Sequence, residues 1–80
     1  MNEDELLERI TVNPAILGGK PIIRGHRIAV EHILGTLAAG DTTETLLEAY
    51  PSLERKDIQS CLVYALCLVA HERVEPLMCE

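Results

Sequence analysis

The stretch TTETLLEAYPSLERKDIQSCLVYALCLVA, residues 42–70, is divided by the dipeptide Tyr50-Pro51. Proline disfavours helical backbone at the residue before it, so no helix runs through Tyr50. Before this break, Thr42 supplies a capping hydroxyl, Glu44 lies in the first turn, and Leu46, Leu47 and Tyr50 face one side. The pattern predicts a helix of only about two turns. After the turn Pro51-Ser52-Leu53, a longer helix is expected from about residue 54 to 71 or beyond, with Ile58, Cys61, Leu62, Ala65 and Val69 as its inward stripe.

Upstream, Val30, Ile33, Leu34, Leu37 and Ala38 fall at i, i+3, i+4, i+7 and i+8, and Gly40 ends the pattern as a C-terminal glycine. A helix, a short helix, a tight turn and a longer helix is the outline of a helix-turn-helix domain. Further upstream the period changes again. Ile10-Thr11-Val12 ends at Asn13-Pro14, and Ile22-Ile23 follows the Gly18-Gly19 turn, so two short strands in a hairpin-like element precede the helices. The fold class is mainly α. Residues 1–9 form an acidic segment, 10–72 the domain and 73–80 a tail.

Composition limits the function. The chain has 80 residues, enough for one domain, and folding buries only about 60% of the surface of so short a chain. Its hydrophobic fraction is 48%, yet Tyr50 and Tyr64 are its only aromatic residues besides histidine, so the core is aliphatic. Val63, Leu66, Cys67, Leu68 and Ala70 make the last helix apolar on every side, which one small protomer cannot cover. A homodimer is therefore expected, with Val63, Leu66, Cys67 and Ala70 in its interface.

Three cysteines without C-x-x-C spacing fit a reducing, cytoplasmic setting. Glu3, Asp4, Glu5 and Glu8 give the N-terminus the wrong charge for a signal peptide, and the apolar run from Cys61 to Ala70 is too short to span a membrane.

Seven basic residues stand against thirteen acidic ones, a formal charge of −6, which opposes strong autonomous binding to nucleic acid. The distribution is uneven. Between residues 20 and 36, Lys20, Arg24 and Arg27 face Glu31 alone, three against one, a local balance of +2. Gly18, Gly19 and Gly25 flank these cations, and turn geometry with positive φ accounts for the glycines. The Gly19-Lys20 pair does not make a phosphate loop. That motif needs glycine where Pro14 stands and Ser or Thr where Pro21 stands.

His26 and His32, with Glu31 between them, read as surface histidines flanking a helix start. Cys67 and His71 share a helix face, but Cys61 belongs to the inward stripe and Cys79, the obvious further thiolate, sits on the tail, so a metal site is not expected. No catalytic, cofactor or metal site is expected, and the chain is not read as an enzyme.

Two binding surfaces are left. In a helix-turn-helix the start of the second motif helix enters the major groove, which assigns Arg55, Lys56, Gln59 and Ser60 to DNA. The loop cations Lys20, Arg24 and Arg27 suit either DNA phosphate or the carboxylates of a protein partner.

The ordered set Pro14, Gly18-Gly19-Lys20-Pro21, Ile23, Gly25, Arg27-Ile28 and Val30, then Gly40, Tyr50-Pro51, Leu53, Asp57-Ile58 and Ala65, closely resembles the bacterial domain-of-unknown-function family DUF433 over residues 10 to about 70. The resemblance implies a three-helix, homeodomain-like helix-turn-helix fold behind a small β element. It also implies an antitoxin of the VapB type that accompanies a nuclease-like toxin, with a stand-alone DNA-binding transcriptional regulator as the alternative. This chain departs from the family pattern at three places. His26 stands where Thr is common, Ala29 where Pro is common, and Glu54 where a Ser or Thr cap is common, which leaves Ser52 as the expected cap.

Overall fold

The computed structural model describes residues 3–72, with side chains to residue 70. Four α-helices and a two-stranded antiparallel sheet follow in the order α1 (Glu3–Leu7), β1 (Ile10–Val12), β2 (Pro21–Ile23), α2 (Val30–Ala38), α3 (Thr43–Ala49) and α4 (Arg55–Glu72). The tail from residue 73 lies outside the described residues.

The strands pair Ile10 with Ile23 and Val12 with Pro21, and an isolated bridge from Ile22 to Ala29 carries the pairing to the threshold of α2. Between the strands, Leu17, Gly18 and Gly19 all take positive φ, 50°, 68° and 84°. The glycines do so without a Cβ penalty, so the chain reverses there.

The helix signals act locally as their chemistry dictates. Gly40, at φ 111°, closes α2 in a Schellman motif: its N–H donates to the Leu37 carbonyl and the Asp41 N–H to the Thr36 carbonyl, each at 3.0 Å. Thr42 caps α3 by accepting the Thr45 N–H at 3.1 Å. Pro51 ends α3 before Tyr50.

The start of α4 differs from expectation. The Asp57 carboxylate, not Ser52, satisfies it: Oδ2 accepts the Glu54 N–H at 2.8 Å, the return half of a capping box with aspartate in the glutamate position.

The core is aliphatic, built from Ile23, Val30, Ile33, Leu46, Leu53, Ile58 and Cys61. Within the acidic N-terminal segment, α1 packs against α4 and buries Leu6. The inward stripe of α4 differs from the expected one: Leu62 and Val69 point outward, and Asp57, Ile58, Ser60 and Cys61 are the buried positions. Both polar members of that set are satisfied, Asp57 as above and Ser60 by donating its hydroxyl to the Lys56 carbonyl at 2.6 Å.

The second half of α4 runs past the core. Leu68 lies seven residues from Cys61, on the same face, and is nevertheless 50% exposed. No helix among the described residues is long and apolar enough to cross a membrane.

Candidate functional site

The basic loop is a tight reversal between β2 and α2. The His26 N–H donates to the Ile23 carbonyl at 2.9 Å, and Gly25, third of the four turn residues, has φ 81°. A type II turn requires positive φ at that position. The Ile23 N–H donates to the Ile28 carbonyl at 3.1 Å and closes the loop at its base. A carbonyl only accepts, so the His26 ring donates its Nδ1–H to the Arg24 carbonyl at 3.1 Å. Backbone and side chain together hold Arg24 and Arg27 on a constrained turn, both exposed. Arg27 and His26 also edge a shallow hollow of about 430 Å³, with Asn13 and Thr11 beside them and Ile22 beneath.

Ion pairing divides the cations into two groups. Arg9 bonds both Glu54 and Asp57 at 2.9 Å, Lys20 meets Glu31 at 3.1 Å, and Arg55 meets Glu44 at 2.8 Å. Arg24, Arg27 and Lys56 have no carboxylate partner among the described residues. Lys20 is thus tied to the first turn of α2, and the loop's free charge is the Arg24–Arg27 pair. The Arg55 bond holds the Glu44 carboxyl below its ordinary pKa. The Arg9 guanidinium is held above its ordinary value, first by its bond to Asp57 and then by that to Glu54.

At the start of α4, Lys56 and Gln59 are exposed and project from the helix, while Arg55 is engaged with α3. Ser60 has no accessible surface, so it leaves the set of candidate DNA contacts. Asp57, whose charge dilutes the basic residues when read in sequence, is only 5% exposed and faces Arg9.

Arg9 was not singled out by the sequence. The signal available for it was an arginine closing Leu-Leu-Glu-Arg, opposite a helix whose third residue is a lone carboxylate.

Of the expected interface residues, Leu66 and Ala70 are exposed on α4, and Val63 and Cys67 are half-buried. Leu62 and Val69 extend the same surface, Leu66 being 55% and Val69 65% exposed.

His32 accepts or donates a 3.0 Å bond with the Tyr50 hydroxyl and meets its ring edge-on, tying α2 to the end of α3. His26 and His32 thus serve separate contacts. Among the described residues no three of His, Cys, Asp or Glu converge to hold a metal ion. The His71 side chain and Cys79 lie outside the described residues. Cys61 is a core residue whose thiol is pushed up to about 12, chiefly by burial and secondarily by the Asp57 charge.

These features define a small, mainly helical domain with a short β-hairpin, in which Arg24, Arg27 and one apolar surface of α4 are exposed, the two arginines without a carboxylate partner among the described residues. The chain belongs to the family described as "Protein of unknown function (DUF433)", whose model matches residues 10–65. An uncharacterized protein of Sinorhizobium fredii, y4eO, is 43% identical over 58 residues, 72% of this chain and 26% of the relative. The chain therefore spans about a quarter of that protein's length. A crystal structure of a DUF433 member protein from Anabaena variabilis is similar with a TM-score of 0.74 at 26% identity, covering 85% of this chain and 67% of that one.

Proposed function

We propose that this domain is an antitoxin-type protein: a dimer in which α2, α3 and α4 act as a homeodomain-like helix-turn-helix, and whose Arg24–Arg27 loop binds a nuclease-like toxin. The observation that carries the reading is that Arg24 and Arg27 stand exposed on one glycine-hinged turn with no carboxylate partner among the described residues. Elsewhere this acidic chain neutralises Arg9, Lys20 and Arg55 internally.

Two free guanidinium groups on a short, constrained loop suit a compact anionic target better than an extended phosphate track. A magnesium-dependent nuclease presents such a target, a cluster of carboxylates that hold its metal. Guanidinium forks bind carboxylates in paired charge-assisted bonds, so the loop would occupy the metal ligands and close the substrate path. The dimer reading is supported by Leu62, Leu66 and Val69, which are 49%, 55% and 65% exposed and, at i, i+4 and i+7, share one face of α4 that a second copy would cover.

The test is co-purification with the product of the adjacent reading frame, before and after the double substitution Arg24→Ala, Arg27→Ala. Loss of the complex and release of toxin activity are expected. An unchanged complex with the toxin still silent would exclude the loop as the inhibitory element.

A second reading, a stand-alone DNA-binding regulator, is favoured by Lys56 and Gln59, both exposed at the start of α4, Lys56 with no carboxylate partner among the described residues. Under that reading Lys56→Ala lowers the salt dependence of operator binding by about one unit of slope, as the loss of one phosphate contact does.

A further inference from the structure

We infer that Arg9 is a positioning residue that couples the basic loop to the start of α4, so that strain in one is felt in the other. Three connections meet at this residue. Its guanidinium bridges Glu54 and Asp57, and Asp57 in turn holds the Glu54 N–H, so the first turn of α4 is fixed through Arg9. Its carbonyl accepts the Arg24 N–H at 2.7 Å, the last backbone bond before the loop turns. Its own N–H donates to the Leu6 carbonyl at 3.1 Å, which anchors it to the end of α1.

Asp57 is buried and can relax little, so a displaced Arg9 leaves a carboxylate without its counter-charge rather than one that turns to water. The route from Arg24 to the first turn of α4 is therefore one strand spacing, one arginine side chain and one carboxylate, a contiguous chain of bonds. The functional meaning of this coupling rests on the proposed use of the loop and of α4 as binding surfaces. The coupling itself is measured on the isolated chain without any partner.

The experiment perturbs the loop and reads the helix. Gly25→Ala strains the turn, since Gly25 has φ 81°, while its added Cβ meets nothing within 4 Å. It touches no residue of α4. Amide hydrogen exchange of the Glu54 N–H, followed by NMR, is compared in four proteins: unmodified, Gly25→Ala, Arg9→Gln and the double variant. With Arg9 present, Gly25→Ala is expected to accelerate Glu54 exchange about fivefold or more by local opening, with the buried amides of Ile33 and Cys61 unchanged. In the Arg9→Gln background Glu54 already exchanges fast, and Gly25→Ala adds nothing further.

The inference is overturned if Gly25→Ala leaves Glu54 exchange unchanged when Arg9 is present, or if the acceleration survives Arg9→Gln. It is likewise overturned if Ile33 and Cys61 accelerate in parallel, since that marks global unfolding. A failed toxin complex would leave each of these outcomes readable, and the two ideas fail separately.

Discussion

Replacing Asp57 by alanine tests how the two ends of the chain are joined. The substitution removes two bonds at once. Loss of the Glu54 N–H acceptor, at 2.8 Å, removes the helix cap, worth about 1 kcal/mol. Loss of the 2.9 Å bond to Arg9 removes a hydrogen bond between charged groups, worth about 1.5 kcal/mol at the low end of its range. The low end applies because the Arg9 side chain is 28% exposed and retains Glu54, so its charge is partly hydrated once Asp57 is gone. The sum is about 2.5 kcal/mol, which in a domain of this size lowers Tm by about 10–20 °C.

Asp57→Asn keeps an amide oxygen for the Glu54 N–H and loses only the charged bond, so its effect falls between wild type and alanine. Thermal unfolding followed by circular dichroism, at one fixed protein concentration because dimerisation would shift Tm, gives the values. Adding Arg9→Gln to Asp57→Ala should cost much less than Arg9→Gln alone, since the two groups act as a pair. The reasoning is refuted if Asp57→Ala lowers Tm by less than about 4 °C, or if the two substitutions add in full.

Three further outcomes are expected. Leu66→Glu leaves the protomer folded, because Leu66 is exposed, and converts a species of twice 8.9 kDa to one of 8.9 kDa in light scattering; a monomeric unmodified protein at micromolar concentration removes the dimer. Cys61, with its thiol pushed up to about 12 and buried in the core, resists alkylation at pH 8 until the protein unfolds, whereas Cys67, half-buried in the protomer and placed in the expected interface, is modified in the folded monomer that Leu66→Glu produces; peptide mass mapping distinguishes them. Glu44 titrates below its ordinary value because Arg55 stabilises its charged form, so the pair's contribution is present above the unfolded carboxylate pKa and is lost as pH falls through the lower folded value. Carbon-detected NMR titration should show that midpoint rise in Arg55→Ala, with little change in stability because both groups are exposed.

The parts of the fold that could be read along the chain are those decided by neighbours in sequence. Thr42 caps the residue three positions on, Gly40 closes the turn behind it and Pro51 stops α3, so each boundary follows from chemistry within a few residues. The hairpin was legible for the same reason, from β-branched runs separated by glycine.

What was not legible depends on distance. Glu3–Leu7 has only two apolar residues and becomes a helix because it rests on α4, which the local pattern does not contain. Arg9 and Asp57 are 48 positions apart, so nothing nearby marks either as a partner. The inward face of α4 was misassigned because apolar residues surround its second half, which erases the period, while the true inward face includes Asp57 and Ser60. Their polarity argued for solvent, yet each is satisfied by a bond made on burial.

For the binding surfaces, sequence placed Arg24, Arg27, Lys56 and Gln59 on exposed positions. It could not foresee that Lys20 and Arg55 are spent on internal pairs or that Ser60 is enclosed.

The most direct test of the central claim is a pair of affinity measurements on two double variants, Arg24→Ala with Arg27→Ala and Lys56→Ala with Gln59→Ala. Each is titrated against the purified product of the adjacent reading frame by calorimetry. The account predicts that the loop variant loses at least a few kcal/mol of binding, as expected when charged groups are removed from a desolvated contact, and that the helix variant binds like the unmodified protein. Full affinity in the loop variant, with the loss falling instead on the helix variant, would contradict it.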